Sequence, residues 1–164
     1  MEQLILNTSS SIYFVRLGLL QHLLKQWKMF TSEEIYAEIK DGEHIGYRDA
    51  QLLMHYFDDH KIEVRKAKKT KEFVKNFRLK EPDASVIALA QEYGGFLATE
   101  DRQIEKVCLL TQTNVINTAV LLYFLWQRKE FDNARVFLLL DLLVKQGYNK
   151  AICLNIKERI LRGE

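Results

Sequence analysis

The stretch Pro82-Asp83-Ala84-Ser85-Val86-Ile87-Ala88-Leu89-Ala90-Gln91-Glu92-Tyr93-Gly94-Gly95-Phe96-Leu97-Ala98-Thr99-Glu100-Asp101 decides the fold. Proline suits the first turn of a helix, where its missing N–H is not needed. The small and apolar residues behind it predict a helix that continues to Tyr93 and stops at Gly94-Gly95. Phe96-Leu97-Ala98 then predicts a short buried strand, and Thr99-Glu100-Asp101 the start of another helix. Helix, turn, buried strand and cap in quick succession imply a parallel sheet covered by helices.

The flanking sequence repeats this alternation. Leu4-Ile5-Leu6 reads as a buried strand running into a cap at Asn7-Thr8-Ser9. Ile12 to Trp27 has apolar residues at helical spacing, and Lys28-Met29-Phe30 reads as a brief strand. Thr31 or Ser32 caps a helix over Glu33 to Lys40, and another helix runs from about Tyr47 to Asp58. Lys61 to Arg65 alternates as a half-exposed strand does, and Lys69 to Phe77 reads as a short basic helix. A helix over Asp101 to Leu110, a strand at Asn114-Val115-Ile116 and helices near 118–128, 132–146 and 149–161 complete the chain. The expected architecture is a three-layer α/β/α sandwich with a central parallel sheet of about four or five strands. It forms a single domain over residues 1–164, helical from about 118. The Leu138-Leu139-Leu140 run is expected to complete the core, with a homodimer face as the alternative.

Composition bounds the rest. The 164 residues are 48% hydrophobic and 28% charged, enough for one folded core and too apolar for a disordered chain. The longest uncharged run, Val107 to Gln127, contains Thr111, Gln112, Thr113, Asn114, Asn117 and Thr118, unlike a membrane span. Met1-Glu2-Gln3 lacks the basic start of a signal peptide, so the expected compartment is the cytoplasm. Cys108 and Cys153 form no CxxC pair, and His22, His44, His55 and His60 have no zinc-ligand spacing. Both cysteines are expected as buried small hydrophobes.

The net charge of +2 is unevenly spread. Lys61 to Lys80 holds nine bases and two acids, an excess of +7 that leaves −5 for the remainder. The asymmetry is a hint of a polyanionic partner, although a solvated face explains charge alone.

Sites in such folds form outside the carboxyl ends of the strands. Taken singly, Asn7, Thr8, Thr99, Asp101 and Asp83 are explained as helix caps or first-turn residues. Glu38 lies late in its expected helix, where a carboxylate opposes the dipole. Together the acids form a pattern. Hard cations such as Mg²⁺ take a few oxygen ligands and keep waters. A metal-activated water and neutralised phosphate charge are what phosphodiester cleavage needs.

At these residues the chain resembles PIN-domain ribonucleases over nearly its whole length. Leu4 to Ser9 is similar to the family's opening strand, Thr31 to Ile39 to the segment ending in its glutamate, Asp83 to Ala90 to the helix opening with its third acid, and Phe96 to Arg102 to the strand and Thr-x-Asp turn bearing the fourth. The resemblance implies an endoribonuclease that uses Mg²⁺ or Mn²⁺. It makes Glu38, Asp83, Asp101 and Asn7 the catalytic and metal-binding set, with Thr8, Thr99 and Glu100 as accessory groups. Asn7 departs from the family, whose first acid falls there, and one negative charge is thereby missing. Lys68, Lys69, Lys71 and Lys75 are the candidates for RNA phosphate contact. Phe73 and Phe77 either stack on bases or pack in the core.

Three function classes follow. The first is an active endoribonuclease, either a toxin of the VapC kind with a small antitoxin-like protein partner or an RNA-maturation enzyme. The second is a catalytically weakened PIN-like protein that binds RNA or a protein without cutting. The third, a nucleotide-binding module, ranks last because no Gly-rich phosphate loop follows any expected strand.

Overall fold

A computed structural model describes all residues, 1–164. In chain order the elements are β1 (Glu2–Leu6), α1 (Thr8–Arg16), α2 (Leu20–Gln26), β2 (Trp27–Ser32), α3 (Glu33–Ile45), α4 (Arg48–Asp58), β3 (Glu63–Arg65), α5 (Thr70–Phe77), α6 (Glu81–Tyr93), β4 (Phe96–Ala98), α7 (Arg102–Leu110) and β5 (Val115–Ile116). Three helices follow: α8 (Thr118–Gln127), α9 (Asn133–Lys145) and α10 (Lys150–Arg162).

The chain divides into two compact units, Met1–Ile116 and Asn117–Glu164. The first is the α/β part. Its five strands are all parallel, in the order β3-β2-β1-β4-β5. Leu4, Ile5 and Leu6 of the central strand are wholly buried, as a strand covered on both faces requires. The chain leaves β1 toward β2 and β3, then returns to its other side with β4. The crevice between the carboxyl ends of β1 and β4 is therefore the topological switch point.

The quoted stretch behaves as its sequence predicts. Pro82 stands in the first turn of α6, and Gly94 ends the helix in the left-handed conformation at φ +69°. Gly95 is required for a different reason. A Cβ there would lie 2.7 Å from the Gln3 carbonyl oxygen and 2.7 Å from Ile5 Cδ1, so β4 can close on β1 only without one.

Two expectations need correction. The helical spacing of Ile12 to Trp27 is not one helix. Gly18, at φ +65°, receives the end of α1, with Gly18 N–H donating to Val15 O and Leu19 N–H to Phe14 O. That is a Schellman stop, and glycine is the residue it favours. Trp27 opens β2 instead, paired with Glu2 and buried edge-on against Phe96 at 5.8 Å. Likewise α3 does not end near Lys40 but continues to Ile45. Gly42 lets α4 approach, since a Cβ there would meet Ala50 Cβ at 3.3 Å. Glu38 is thus a mid-helix residue, and the argument from the helix dipole no longer applies to it.

The second unit is a three-helix assembly. Asn117, Asp132 and Asn149 cap α8, α9 and α10 through their side-chain oxygens. Of the leucine run, Leu139 and Leu140 are buried while Leu138 is exposed. The Tyr123 hydroxyl donates to the backbone oxygen of Glu164, and Arg159 lies over the Tyr123 ring. Cys108 in the first unit and Cys153 in the second are both buried, and neither forms a disulfide. No helix is long and apolar enough to cross a membrane.

Candidate active site at the carboxyl edge of the sheet

Parallel strands feeding successive helices bring several helix N-termini to one sheet edge. Here those of α1, α6 and α7 carry the candidate residues. Backbone N–H groups and the dipole make such termini favourable to anions.

Asn7 follows β1 directly. Its N–H donates to the Ala98 carbonyl, extending the β1–β4 pairing by one step. Its side chain is nearly buried, 6% exposed. Oδ1 accepts from Thr8 N–H at 2.9 Å, and Nδ2 donates to Thr99 Oγ1 at 3.0 Å. The Thr8 N–H needs an acceptor, so the amide's orientation is fixed and its NH₂ faces Thr99. Thr99 Oγ1 also accepts from Asp101 N–H at 3.1 Å. One hydroxyl thus ties the end of β1 to the turn after β4.

Asp101 caps α7. Its Oδ1 accepts from the N–H groups of Gln103 at 2.7 Å and Ile104 at 3.2 Å, which leaves Oδ2 for another partner. Glu100 turns toward α1. Ser10 Oγ donates to Glu100 Oε1 at 3.0 Å, and Glu100 N–H donates to Ser9 Oγ at 3.2 Å. Its carboxylate therefore supplies an acid beside the N-terminus of a helix that has none in its own first turn.

Asp83, half-buried in the first turn of α6, is the electrostatic centre. Burial, then the charges of Asp101 and Glu38, raise its carboxyl above the ordinary aspartate value, and Lys80 partly opposes them. Acids from α3, α6 and the cap of α7 therefore act on one another. Their side chains are not drawn in tightly, and no three carboxylate, histidine or cysteine groups close on a single ion position.

A support of buried hydroxyls lies beneath them. Ser32 caps α3 by accepting from Ile35 N–H, and Ser85 Oγ sits 2.6 Å from Ser32 Oγ and 2.7 Å from the Pro82 carbonyl oxygen. Thr31 Oγ1 donates to the Leu6 carbonyl at 2.6 Å. Thr8 differs, because its buried Oγ1 has no hydrogen-bond partner. Thr8 and Glu38 share the lining of a mostly apolar groove of about 550 Å³ that also includes Ile12, Ile39 and the Arg16–Asp49 ion pair.

The basic segment is less uniform than its composition. Lys61 pairs with Asp59, and Arg65 pairs with Glu63 while its guanidinium lies 4.4 Å from the ring centres of both Phe30 and Tyr93. The backbone N–H groups of Lys68 and Lys69 donate to Glu92 Oε1. Glu92 stands nine residues after Asp83 on α6, which is roughly 13 Å along a helix. Lys68 and Lys69 therefore lie at the far end of α6 from the acids. Phe73 is buried and stacks on Phe77 at 5.7 Å, which places it in the core rather than on offer to a base.

Two groups were missed in the sequence. Lys80 holds the N-cap position of α6 without a side-chain cap bond, three residues before Asp83. Its signal was a lysine where oxygen-bearing residues are preferred. The Ser32–Ser85 contact joins residues far apart in sequence, and nothing local marks it.

The comparisons agree with the fold. The family model DUF3368, a PIN domain, matches residues 3–155, and the chain belongs to the PIN-domain family. No curated protein matches the sequence significantly. Among solved structures, the chain is similar to VapBC2 from Rickettsia felis bound to a DNA fragment from their promoter. The TM-score is 0.53 at 15% identity, over 70% of this chain and 98% of that one. It is also similar to VapBC-1 from nontypeable Haemophilus influenzae, with TM-score 0.53 at 14% identity, over 70% of this chain and 97% of that one. Likeness at these identities is a likeness of fold.

Proposed function

We propose that this PIN-domain protein is a divalent-metal-dependent endoribonuclease whose site is the acidic edge between β1 and β4. The observation that carries the reading is the convergence of Asp83, Asp101 and Glu38 at one sheet edge, close enough that the charges of the last two add to burial in raising the Asp83 carboxyl. Clustered acids that repel one another are suited to a cation. The donor set suits a hydrated Mg²⁺ or Mn²⁺ in its chemistry, with hard oxygen ligands and an unpartnered Thr8 hydroxyl that shares a groove with Glu38. Asp83, Asp101 Oδ2 and Glu38 would hold the ion, directly or through water. When bound, it would supply an activated water and neutralise charge on the phosphate.

The chain's own residues do the rest. Thr99 fixes the Asp101 turn and the Asn7 amide in one geometry. The N-termini of α1, α6 and α7 favour an incoming phosphate. Lys68, Lys69, Lys71 and Lys75 are candidates for holding RNA away from the acids.

A second reading has its own observation. Both ends of the Asn7 amide are engaged, and no charge replaces the family's first acid. This favours a weakened nuclease that binds RNA or a protein. The fold likeness to VapBC proteins supports a small antitoxin-like partner over the acidic edge, and pairing with a second copy. The RNA-maturation role remains the other biological setting.

The test is cleavage of labelled single-stranded RNA with Mn²⁺ or Mg²⁺, against EDTA, Asp83→Ala and Asn7→Asp. Metal-dependent cutting lost in Asp83→Ala supports the nuclease. Activity only in Asn7→Asp supports the weakened form. No cutting by parent or Asn7→Asp rejects the nuclease reading.

A further inference from the structure

Of the seven bases in the 61–80 segment without ion pairs, five form an ordered row. Lys71 and Lys75 stand one turn apart on α5 and Arg78 caps its end in the left-handed conformation at φ +54°; all three are exposed, while Phe73 and Leu79 are buried. Lys68 precedes the row by three residues. These four and Lys80 make no salt bridge, in contrast to Lys61 and Arg65. Like charges at i, i+4 on a helix repel, and Glu72, three residues before Lys75, is the one acid on α5 to set against them.

The row also has a direction. Lys68 is anchored at the Glu92 end of α6, and only residues 78–80 separate the end of α5 from the start of α6. Helices α5 and α6 therefore run antiparallel, and the cations proceed from the Glu92 end to the Asp83 end. Lys80 is the last of them and stands at the first turn that carries Asp83.

We propose that the exposed face of α5, with the residues that flank it, is a single-stranded RNA track, running from Lys68 through Lys71, Lys75 and Arg78 to Lys80, which seats a phosphate beside Asp83. This rests on the nuclease reading and adds the path of the strand. The row contacts the flanking backbone and carries no base readout, since phosphate contacts position without specifying. Lys80 is a positioning residue that holds the phosphate next to the acids.

The test is fluorescence anisotropy of a labelled single-stranded RNA on the full-length protein in EDTA, across a NaCl series. Each of Lys71→Ala, Lys75→Ala and Arg78→Ala is expected to lower the salt slope by roughly 0.7, which is roughly fourfold in affinity near 0.15 M salt. Lys150→Ala, at an exposed lysine of the second unit, should change neither. In Mn²⁺, Lys80→Ala should reduce kcat more than it raises KM, with rescue by Lys80→Arg. Unchanged affinity and slope in the three row variants would overturn the track. So would equal losses in Lys150→Ala, or tighter binding of a labelled acidic peptide than of RNA. The two readings fail separately. RNA bound along the row but never cut removes the nuclease and keeps the track. Cutting undiminished when Lys71→Ala, Lys75→Ala and Arg78→Ala are combined removes the track and keeps the nuclease.

Discussion

The ends of β1 and β4 lie side by side, and each is closed by a capping side chain of nearly the same shape. Asn7 caps α1 through one oxygen, and Asp101 caps α7 through one oxygen. Thr99 accepts from both residues, from the amide of one and the backbone of the other. They differ in charge and exposure. Asn7 is neutral and nearly buried, whereas Asp101 is charged and open to the crevice. The fold asks each position only for an acceptor oxygen, and a neutral amide meets that need at β1. The charge on Asp101 is therefore more than its cap requires, and the charge missing at Asn7 is not one the fold lacks.

The largest expected effect comes from making the two ends alike in neutrality. Asp101→Asn keeps an oxygen for Gln103 and Ile104, so thermal melting should barely move. RNA cleavage should fall on the order of 10²–10⁴-fold, as for loss of a central ligand. Asp101→Ala separates the roles, because it also loses the cap, worth about 0.5–2 kcal/mol.

Making the ends alike in charge is the converse. Asn7→Asp retains an acceptor for Thr8 N–H, and the Thr99 hydroxyl can turn to donate. Cleavage in Mn²⁺ should rise on the order of tenfold, a difference of about 1.4 kcal/mol in barrier. In EDTA the same variant should melt lower than the parent at neutral pH, because a nearly buried carboxylate joins the other acids. Added Mn²⁺ should close that gap.

Asp83 sharpens the comparison through pH. Its folded carboxyl titrates above the ordinary value, so the folded state holds that proton more tightly than the unfolded chain. The resulting stability is fully present below the ordinary aspartate range and is lost as pH rises through the raised value. Asp83→Asn should show no such loss, and in EDTA at neutral pH should melt higher than the parent, by roughly 1–4 °C. Mn²⁺ should raise the melting temperature of the parent more than that of the variant. A variant that melts lower would show that the charge is compensated within the protein.

The smallest effect concerns a residue remote from both caps. Burial pushes the Cys108 thiol up to about 12, so the thiolate is scarce at neutral pH. Alkylation by iodoacetamide at neutral pH should leave Cys108 unmodified until the chain is unfolded, as mass spectrometry would show.

How much of this was legible follows the range of the interactions. Short apolar runs ending in Asn, Thr or Asp gave strands and caps, because a cap is a contact within three residues. Gly18 was passed over because the apolar spacing continues across it, and only its positive φ reveals the stop. Glu38 falls late only in a helix ended at Lys40, and Gly42 lies inside the longer α3. There it is a packing site against Ala50, which no local pattern marks. The acids were found by resemblance at known spacing. Their mutual repulsion, the Ser32–Ser85 contact and the distance of Lys68 from Asp83 arise from tertiary placement. Charge counting found the basic segment but not which of its members are already paired.

The most direct test of the central claim is Mn²⁺ binding, followed by calorimetry, to the parent and to Asp101→Asn. The acidic edge predicts that the parent binds Mn²⁺ and that the capped but uncharged variant binds markedly more weakly while melting at nearly the same temperature. Equal binding by the two, or none by a folded parent, would contradict the assignment of the metal to the edge between β1 and β4.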